Sequence, residues 1–376
     1  MSLKKDALDI FCTAIEAVKP SVSMQKRVKF KNSILYVDDD SYDLKPYRRV
    51  FVFGSGKAGV SMAEELESIL DSRLEGGVVV SPDNHKNTKI SFLQATHPIP
   101  SQSSLFAGKE LMKRFLSLHE NDFYIYLLSG GSSALIEVLK DGIALEELQA
   151  TTKNLINSSL SISEINRARK SLSLIKGGGL AQCTKAKGIV LVLSDVVGDD
   201  LESIGSAPML CKNPPKHYFI GSNKQALSAA KIRALQLGFR AEIVTDSLEG
   251  DIGDSVEFIC EKLESLGPRH CLLFGGESTL HVRGNGKGGR NQHMVLLALM
   301  RLKDLKNFAF LSAGSDGIDG NSIAAGAVID EFTCRDNLDL YLKSFDSYSF
   351  FKKSDSLIVT GPTKTNVMDI MIALRA

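Results

Sequence analysis

Short apolar runs that alternate with amphipathic stretches are the feature that most restricts the fold of this chain. The runs are nearly continuous in β-branched and aromatic residues, which is typical of strands buried on both faces. They read R49-V-F-V-F-G, G77-V-V-V-S-P, I90-S-F-L-Q-A-T, F123-Y-I-Y-L-L-S, G188-I-V-L-V-L-S, H217-Y-F-I-G, A241-E-I-V-T-D, C271-L-L-F-G-G, F308-A-F-L-S-A-G and L357-I-V-T-G-P. Helical patterns such as A58-G-V-S-M-A-E-E-L separate many of them. Strands alternating with helices predict an α/β protein with largely parallel sheets.

The length of the chain predicts two domains. Its 376 residues exceed what one hydrophobic core usually organises. We place the boundary near residue 235, after a helical segment that begins at K224-Q-A-L and before a new strand. The expected domains are therefore residues 1–235 and 236–376.

Charge and cysteine content narrow the class of protein. The 45 Lys and Arg residues nearly balance the 44 Asp and Glu residues, which favours neither a nucleic-acid nor a membrane-surface partner. The six cysteines are scattered without a C-x-x-C pair, which argues against a zinc ribbon or a disulfide framework. The first residues lack a signal-peptide pattern, and no apolar run is long enough to span a bilayer. We expect a cytoplasmic protein.

Polar and small residues cluster where the predicted strands end. The ends read G54-S-G-K, S129-G-G-S-S, S194-D-V-V-G-D-D, G275-G-E, S312-A-G-S-D-G-I-D-G and T360-G-P-T-K-T-N. Ligands of open α/β sheets bind beyond the carboxyl ends of the strands. Six such ends indicate a site for a phosphorylated ligand and a metal.

The first glycine loop permits three interpretations. Gly54, Gly56 and Gly59 match the dinucleotide pattern G-x-G-x-x-G, and Asp83 stands roughly where a ribose-binding acid would lie. That pattern does not explain Lys57, and the spacing does not fit a G-x-x-x-x-G-K-[ST] phosphate loop. The third interpretation is a turn at a helix N-terminus that donates N–H groups to an anion. Lys57 would add a point charge, or would be an ordinary exposed lysine.

Two further turns carry groups for anion and metal binding. In S129-G-G-S-S, backbone N–H groups and hydroxyls suit a phosphate or carboxylate, although a tight strand-to-helix turn would need the same small residues. In S194-D-V-V-G-D-D, Asp195, Asp199 and Asp200 are the best magnesium ligands of the chain, unless the last two cap the next helix.

The segment G284-N-G-K-G-G-R-N-Q is expected to be a flexible loop with two cations. Lys287 and Arg290 could then close over a transferring phosphoryl group, which arginine binds through its forked guanidinium. A mobile hairpin without function is the alternative. His97, in T96-H-P-I-P, is expected to be a packed or capping histidine.

Taken in order, these motifs resemble the glycerate 2-kinase family, the class II or MOFRL-type glycerate kinases. The resemblance runs nearly the whole length of the chain. It rests on G54-S-G-K-A-G, H97-P-I-P, L127-L-S-G-G-S-S-A-L, I165-N-R-A-R-K-S-L-S-L-I-K-G-G-G-L-A, L193-S-D-V-V-G-D-D, G221-S-N, G275-G-E-S-T, G288-G-R-N-Q, A313-G-S-D-G-I-D-G and T360-G-P-T-K-T-N-V.

The resemblance implies phosphorylation of D-glycerate on its 2-hydroxyl, with ATP and Mg²⁺. It implies a Rossmann-like N-terminal α/β/α domain, a second α/β domain with a mixed sheet, and an active site in the cleft between them. Lys57 and Arg290 match catalytic positions, Asp195 and Asp199 would hold the metal, and Asp195 or Asp316 could be the general base. Substrate or nucleotide binding is assigned to Gly54, Ser55, Gly56, Ser129, Gly130, Gly131, Ser132, Ser133, Asn166, Arg169, Asn223, Glu277, Asn291, Asp316 and Thr360. No nucleic acid or membrane is expected as a partner, and the protein would be a monomer or homodimer.

The chain departs from the family pattern at several positions. Ser132 and Lys364 replace glycines, Gly179 replaces an arginine, and His293 replaces an acid. Val197 replaces the proline of S-D-V-P-G-D, and A207-P-M stands where S-G-P-T is usual. Two rival functions stay open at this point. One is an NAD-dependent oxidoreductase, and the other is a non-catalytic sensor of sugar acids or nucleotides.

Overall fold

The computed structural model describes residues 2–85, 89–156 and 162–376, with the backbone alone for 154–156, 162, 163, 165 and 166. The described residues form two compact units. One contains residues 20–221, and the other contains residues 1–19 and 222–376. This division differs from the predicted boundary near residue 235, which lies at the end of a helix rather than between units.

The unit of residues 20–221 alternates strands and helices for most of its length. Its elements are α2 (Pro20–Arg27), β1 (Val28–Lys31), β2 (Ile34–Val37), β3 (Asp40–Asp43), β4 (Val50–Ser55), α3 (Gly59–Leu70), β5 (Leu74–Ser81), β6 (Ile90–Gln94), α4 (Gln102–Leu116), β7 (Phe123–Ser129), α5 (Ser132–Leu135), α6 (Leu145–Ile156), α7 (Ile162–Leu172), β8 (Lys187–Leu193) and β9 (Lys216–Gly221). Single 3₁₀ turns cover Asp71–Arg73, Ala181–Cys183, Val197–Asp199 and Ile204–Ser206.

A parallel sheet organises this unit. Within the described residues its order is β6-β5-β4-β7-β8-β9, and every neighbouring pair is parallel. All seven residues of β7 are buried, as its unbroken apolar run predicts. The chain adds strands outward on one side from β4 to β6 and then returns beside β4 with β7. The sequence of β1–β3 gave no strand prediction, and these strands form a small antiparallel sheet.

The other unit contains a mixed sheet. Its elements are α1 (Leu3–Val18), α8 (Asn223–Gln236), β10 (Arg240–Leu248), α9 (Ile252–Glu264), β11 (His270–Gly276), α10 (Arg290–Arg301), β12 (Phe308–Gly314), β13 (Gly326–Asp330), α11 (Leu338–Ser344), α12 (Ser347–Lys353), β14 (Leu357–Ile358) and β15 (Asp369–Arg375). The sheet order is β10-β11-β15-β12-β13-β14, and only β10 and β11 are parallel among these neighbours. The α/β class, with one parallel and one mixed sheet, is confirmed.

The first helix explains why the N-terminus belongs to this second unit. Helix α1 buries Ile10, Phe11 and Val18, and burying each such side chain stabilises the fold by roughly 1.5–3 kcal/mol. Polar contacts add to this apolar face. Arg233 of α8 donates to Asp9 from Nε at 3.1 Å and from Nη2 at 2.5 Å. Among the described residues, no helix has the length and apolar character needed to cross a membrane.

Candidate active site

The candidate site of the unit 20–221 lies where the strand order of the parallel sheet reverses. Strands β4 and β7 are neighbours there, with Ser55 opposite Leu128. Strand β8 continues the edge, with Leu193 opposite Ser129. The turns that follow these three strands therefore start side by side, in the position where open α/β sheets bind ligands.

The turn after β4 uses its own N–H groups within the protein. Gly56 donates to the Val80 carbonyl at 3.1 Å, and Lys57 donates to the Gly130 carbonyl at 2.9 Å. The N–H of Ala58 donates to the Ser129 hydroxyl at 3.1 Å. The N–H groups of Gly56, Lys57 and Ala58 therefore do not serve an anion as predicted, because they donate to protein atoms. The turn instead holds the exposed side chain of Lys57 at the sheet edge.

Gly56 is the residue that this arrangement demands. Its φ is +140°, a region that side-chain-bearing residues rarely adopt, and a Cβ there would lie 2.0 Å from the Ser129 hydroxyl. The glycine therefore allows the turns after β4 and β7 to meet.

The turn after β7 differs from the turn after β4 in how its N–H groups are used. In the described part of the chain, the N–H groups of Gly131, Ser132 and Ser133 donate no hydrogen bond to the protein. The hydroxyls of the turn are already used, since that of Ser133 is hydrogen-bonded to the Ser206 hydroxyl at 2.9 Å. Backbone N–H groups that converge in a turn are a common binding site for phosphate and carboxylate oxygens.

A carboxylate from the turn after β8 contacts this same turn. A Cβ on Gly130 would lie 1.7 Å from Oδ2 of Asp195, so the absent side chain leaves room for the Asp195 carboxylate. Asp200 has another task, because its carboxylate accepts from the Glu202 N–H at 3.0 Å and the Ser203 hydroxyl at 2.6 Å. Asp200 therefore caps the turn of residues 200–203, which differs from the predicted alternative of a cap on the next helix.

Asp195 and Asp199 are the residues that would hold a Mg²⁺ ion shared with a substrate. Asp195 and Asp199 supply carboxylate oxygens from one turn, and Asp199 adopts a left-handed φ of 54° within it. No group of three or more metal-binding side chains occurs in the described ranges. Mg²⁺ is commonly held by one or two carboxylates together with substrate phosphates.

His97 lies against the same turns. The Cβ position of Gly131 is 3.0 Å from Cδ2 of His97 and 3.2 Å from Cγ of Lys57. His97 is partly exposed, but the burial of the rest of its side chain is the largest cause that lowers its pKa, to about 4. The positive charges of Lys57 and Arg169 act in the same direction. The imidazole is therefore neutral at neutral pH, and two cationic side chains are close enough to influence it.

In the other unit, Arg290 is held between two carboxylates. It is the first residue of α10, and its Nε and Nη2 donate to the two oxygens of Asp369 at 2.5 and 3.1 Å. Its Nη1 lies 2.6 Å from Oε1 of Glu277. Burial alone would lower the pKa of the guanidinium, but Asp369 and then Glu277 raise it.

Asp319 fixes the first turn of α10. It accepts from the N–H groups of Asn291 at 3.0 Å and Gln292 at 2.8 Å, which orients the helix start that carries Arg290. Burial raises the pKa of Asp319 to about 6, although the hydrogen bonds from Gln292 and Asn291 oppose the shift. This helix N-terminus is thus capped by the protein's own carboxylate.

The glycine-rich loop before α10 is docked rather than open. The Gly286 N–H donates to the Ser344 carbonyl at 3.0 Å, and the Lys287 carbonyl accepts from the Tyr348 N–H at 2.9 Å. The Lys287 ammonium lies 4.4 Å from the centre of the Tyr348 ring. This arrangement differs from the predicted flexible loop with two cations, because the Lys287 ammonium contacts the Tyr348 ring.

The chain matches known proteins over nearly its full length. Residues 6–226 match a domain of unknown function, DUF4147, and residues 270–369 match the MOFRL family. The D-glycerate 2-kinase of Thermotoga maritima is 34% identical, over 99% of this chain and 98% of the relative. The chain belongs to the class II glycerate kinase family. A glycerate 2-kinase of Pyrococcus horikoshii is also 34% identical, over 100% of this chain and 98% of its own.

A solved structure of this family has the same fold. The crystal structure of a glycerate kinase from Thermotoga maritima superposes with a TM-score of 0.88 at 33% identity, covering 100% of this chain and 99% of that one. The α/β fold is thus shared over the whole length, including the mixed sheet.

The family's other assigned residues occupy different kinds of positions. Asn223 and Asn291 are buried: Asn223 donates to the Val367 carbonyl at 2.8 Å, and Asn291 donates to Asp369 at 2.9 Å. Thr360 is exposed, and Asp316 accepts from the Ile318 N–H at 3.0 Å. The side chain of Asn166 lies outside the described residues. The two asparagines hold elements together in this structure, and their assignment to substrate binding stays a prediction.

Two departures from the family pattern have structural causes. The Ser132 hydroxyl is 2.5 Å from that of Ser55, which is 2.6 Å from that of Tyr126, so the extra hydroxyl joins a buried hydrogen-bonded chain. A Cβ on Gly179 would lie 1.9 Å from the Leu174 carbonyl oxygen, so a larger residue does not fit this backbone.

A third departure predicts a pH effect. His293 is 6% exposed, its ring stacks on Phe345 at 4.8 Å, and burial lowers its pKa to about 4. Below pH 6.5 the unfolded chain takes up the proton first, so unfolding becomes easier as the pH falls towards 4. When the pH falls from 7 to 5, this proton uptake should lower the unfolding free energy of the wild type by about 2 kcal/mol. His293→Phe should not show this loss.

Urea unfolding at both pH values measures this difference, in which all other titrating groups cancel. His281→Phe, at an exposed position, is the matched control and should keep the loss of the wild type. An equal effect of both substitutions would contradict the assignment of the pH dependence to His293.

Sequence reasoning missed Asp319 and Asp369. Asp319 is the second acid of D316-G-I-D-G, a motif in which the sequence predicts a role only for Asp316. Asp369 begins a strand that the sequence patterns do not predict. Each is almost fully buried. An aspartate that opens the apolar run I370-M-I-A-L was the available signal, because a buried carboxylate needs a cationic or N–H partner.

Proposed function

We propose that this protein is an ATP-dependent kinase that transfers the γ-phosphoryl group to the 2-hydroxyl of D-glycerate, giving 2-phosphoglycerate and ADP. One observation carries the proposal. Lys57, the 129–133 turn and Asp195 come together at the carboxyl edge of a parallel sheet, in a chain that matches glycerate 2-kinases over its full length.

The residues of this edge suit phosphoryl transfer, which depends mainly on positioning and charge neutralisation. Lys57 would supply a positive charge, and the N–H groups of Gly131, Ser132 and Ser133 would bind phosphate or carboxylate oxygens. The low pKa of His97 keeps a further charge away from the lysine. Arg169 is proposed as a contact for the acid group of glycerate, and Asp195 or Asp316 as the general base.

Arg290 is proposed as the second catalytic cation. Its forked guanidinium can bind two phosphoryl oxygens and stabilise the charge that spreads over them in the transition state. We propose that it acts on the same phosphoryl group as Lys57. A Mg²⁺ ion held by Asp195 and Asp199 would neutralise phosphate charge when bound. Activity should therefore disappear in excess EDTA and return with added Mg²⁺.

The strand order of the parallel sheet supports a Rossmann-like description of the first domain, since the order reverses between β4 and β7. The oxidoreductase alternative would use the glycine turn after β4 as a pyrophosphate cradle. The N–H groups of Gly56, Lys57 and Ala58 are instead hydrogen-bonded within the protein, which argues against that use. The location of the active site in a cleft, a monomeric or homodimeric state and a cytoplasmic location stay predictions.

An ADP-release assay tests the function. Purified protein with Mg-ATP should release ADP with D-glycerate and less with related hydroxy acids, and the product should be 2-phosphoglycerate rather than 3-phosphoglycerate. NADH binding without any ATP turnover would favour the oxidoreductase. Binding of glycerate or ATP without ADP release would favour a sensor.

A further inference from the structure

The two carboxylates that hold Arg290 lie at different depths. The side chain of Asp369 is 4% exposed, whereas that of Glu277 is 45% exposed. Asp369 binds the guanidinium through two hydrogen bonds, and Glu277 contacts Nη1 through one oxygen. One partner is therefore buried and bidentate, and the other is largely solvent-exposed and contacts Nη1 through Oε1.

Asp369 is fixed from several sides. It pairs with Gly276 of β11 and Gly314 of β12 at the start of β15, the strand between them. Its backbone carbonyl accepts from the Asn223 amide at 3.0 Å, and its Oδ1 accepts from the Asn291 amide at 2.9 Å. Movement of this carboxylate would break these contacts and leave buried donors unpaired, which is expensive.

The Glu277 side chain is much more exposed than that of Asp369, at 45% against 4%. Glu277 follows the last residue of β11, and its long side chain extends into solvent to reach Arg290. Exposed ion pairs of this kind contribute little, because water and salt screen them and side-chain freedom is lost. A phosphoryl oxygen carries the same negative charge and accepts the same hydrogen bond. It can therefore replace the Glu277 oxygen at Nη1, while it cannot replace Asp369.

We propose that Asp369 is the positioning residue of Arg290, and that Glu277 is a replaceable counter-ion on the guanidinium edge where a phosphoryl oxygen binds. This inference rests on the proposed kinase function. It predicts opposite effects for the two carboxylates. Removing the Glu277 charge removes a competitor of the phosphate chain, and removing the Asp369 charge lets the arginine leave its position.

The test is the binding of inorganic tripolyphosphate to the full-length protein, measured by calorimetry at low salt. Glu277→Gln should bind it ~3- to 5-fold more tightly than wild type, the range expected for an exposed pair. Asp369→Asn should bind it at least ~10-fold more weakly, the scale of losing one partner of a buried charge pair. Glu261→Gln, another exposed carboxylate of this unit without an arginine partner in the described residues, is the charge-matched control and should bind like wild type.

A double variant makes the test specific to Arg290. In an Arg290→Ala background, Glu277→Gln should no longer tighten binding, because the competition takes place on the guanidinium. The inference is overturned if the gain survives in that background, or if Glu277→Gln binds no more tightly than Glu261→Gln. These comparisons also decide the matter if Asp369→Asn does not fold.

Turnover separates this inference from the proposed function. Release of ADP by the wild-type protein with D-glycerate tests the kinase function alone. If the wild type turns over but the tripolyphosphate affinities do not change as expected, the counter-ion role fails and the function stands. If the affinities change as expected but no acceptor is phosphorylated, the anion site stands and the kinase function fails.

Discussion

Replacement of Lys57 by alanine is expected to lower kcat for glycerate phosphorylation by at least ~100-fold, the scale of losing one preorganised electrostatic stabiliser. The fold should survive, because the exposed side chain is removed while its N–H still donates to the Gly130 carbonyl at 2.9 Å. The loss should fall mainly on kcat, since the charge is needed where negative charge is transferred. Steady-state kinetics of ADP release, with a thermal melt of each variant, measures both effects.

Two further variants sharpen this expectation. Lys57→Arg keeps the charge but spreads it over a planar group, so partial activity should return. Lys113→Ala removes another exposed lysine of the same unit, on α4, and should leave kcat unchanged. Near-normal turnover of Lys57→Ala, or an equal loss in Lys113→Ala, would show that Lys57 does not act on the reacting group.

The sequence predicts much of the parallel sheet because its strands are local signals. Each of β4 to β9 is a run of apolar residues that ends in small polar ones, and such runs are recognisable without knowledge of their neighbours. The neighbourhood of Lys57 and the 129–133 turn follows from the parallel order, which brings the carboxyl ends of β4 and β7 together. The class, the strands and this cluster were therefore accessible from residue patterns.

Contacts between distant residues were less accessible. Strand β15 is the last strand of the chain and pairs antiparallel with β11 and β12, so the strand–helix alternation did not lead to it. The role of Asp369 depends on that pairing and was missed with it. The N–H groups of the turn after β4 are a similar case. Their use by the Val80 carbonyl and the Ser129 hydroxyl arises from packing of two turns, which the glycine pattern alone does not contain.

Substitution of Gly130 by alanine is expected to impair the enzyme as severely as loss of Asp195 itself. The new Cβ would lie 1.7 Å from Oδ2 and 2.2 Å from Cγ of Asp195, distances that no two unbonded atoms can keep. The carboxylate is the outer end of a side chain, so it can turn away while the backbone stays in place. We therefore expect a folded protein with a displaced Asp195 and a kcat reduced by at least ~100-fold.

A comparison with Asp195→Asn tests whether Gly130→Ala acts through Asp195. If Gly130→Ala acts by displacing Asp195, the double variant should be no worse than Asp195→Asn alone, because changes that disable one group do not add. Gly142→Ala is the matched control, since a Cβ there meets no atom within 4 Å, and its φ of +82° makes the substitution somewhat destabilising. If the losses in the double variant are additive, Gly130→Ala acts on the 129–133 turn itself and not through Asp195. The N–H groups of that turn would then bind the anion independently of Asp195.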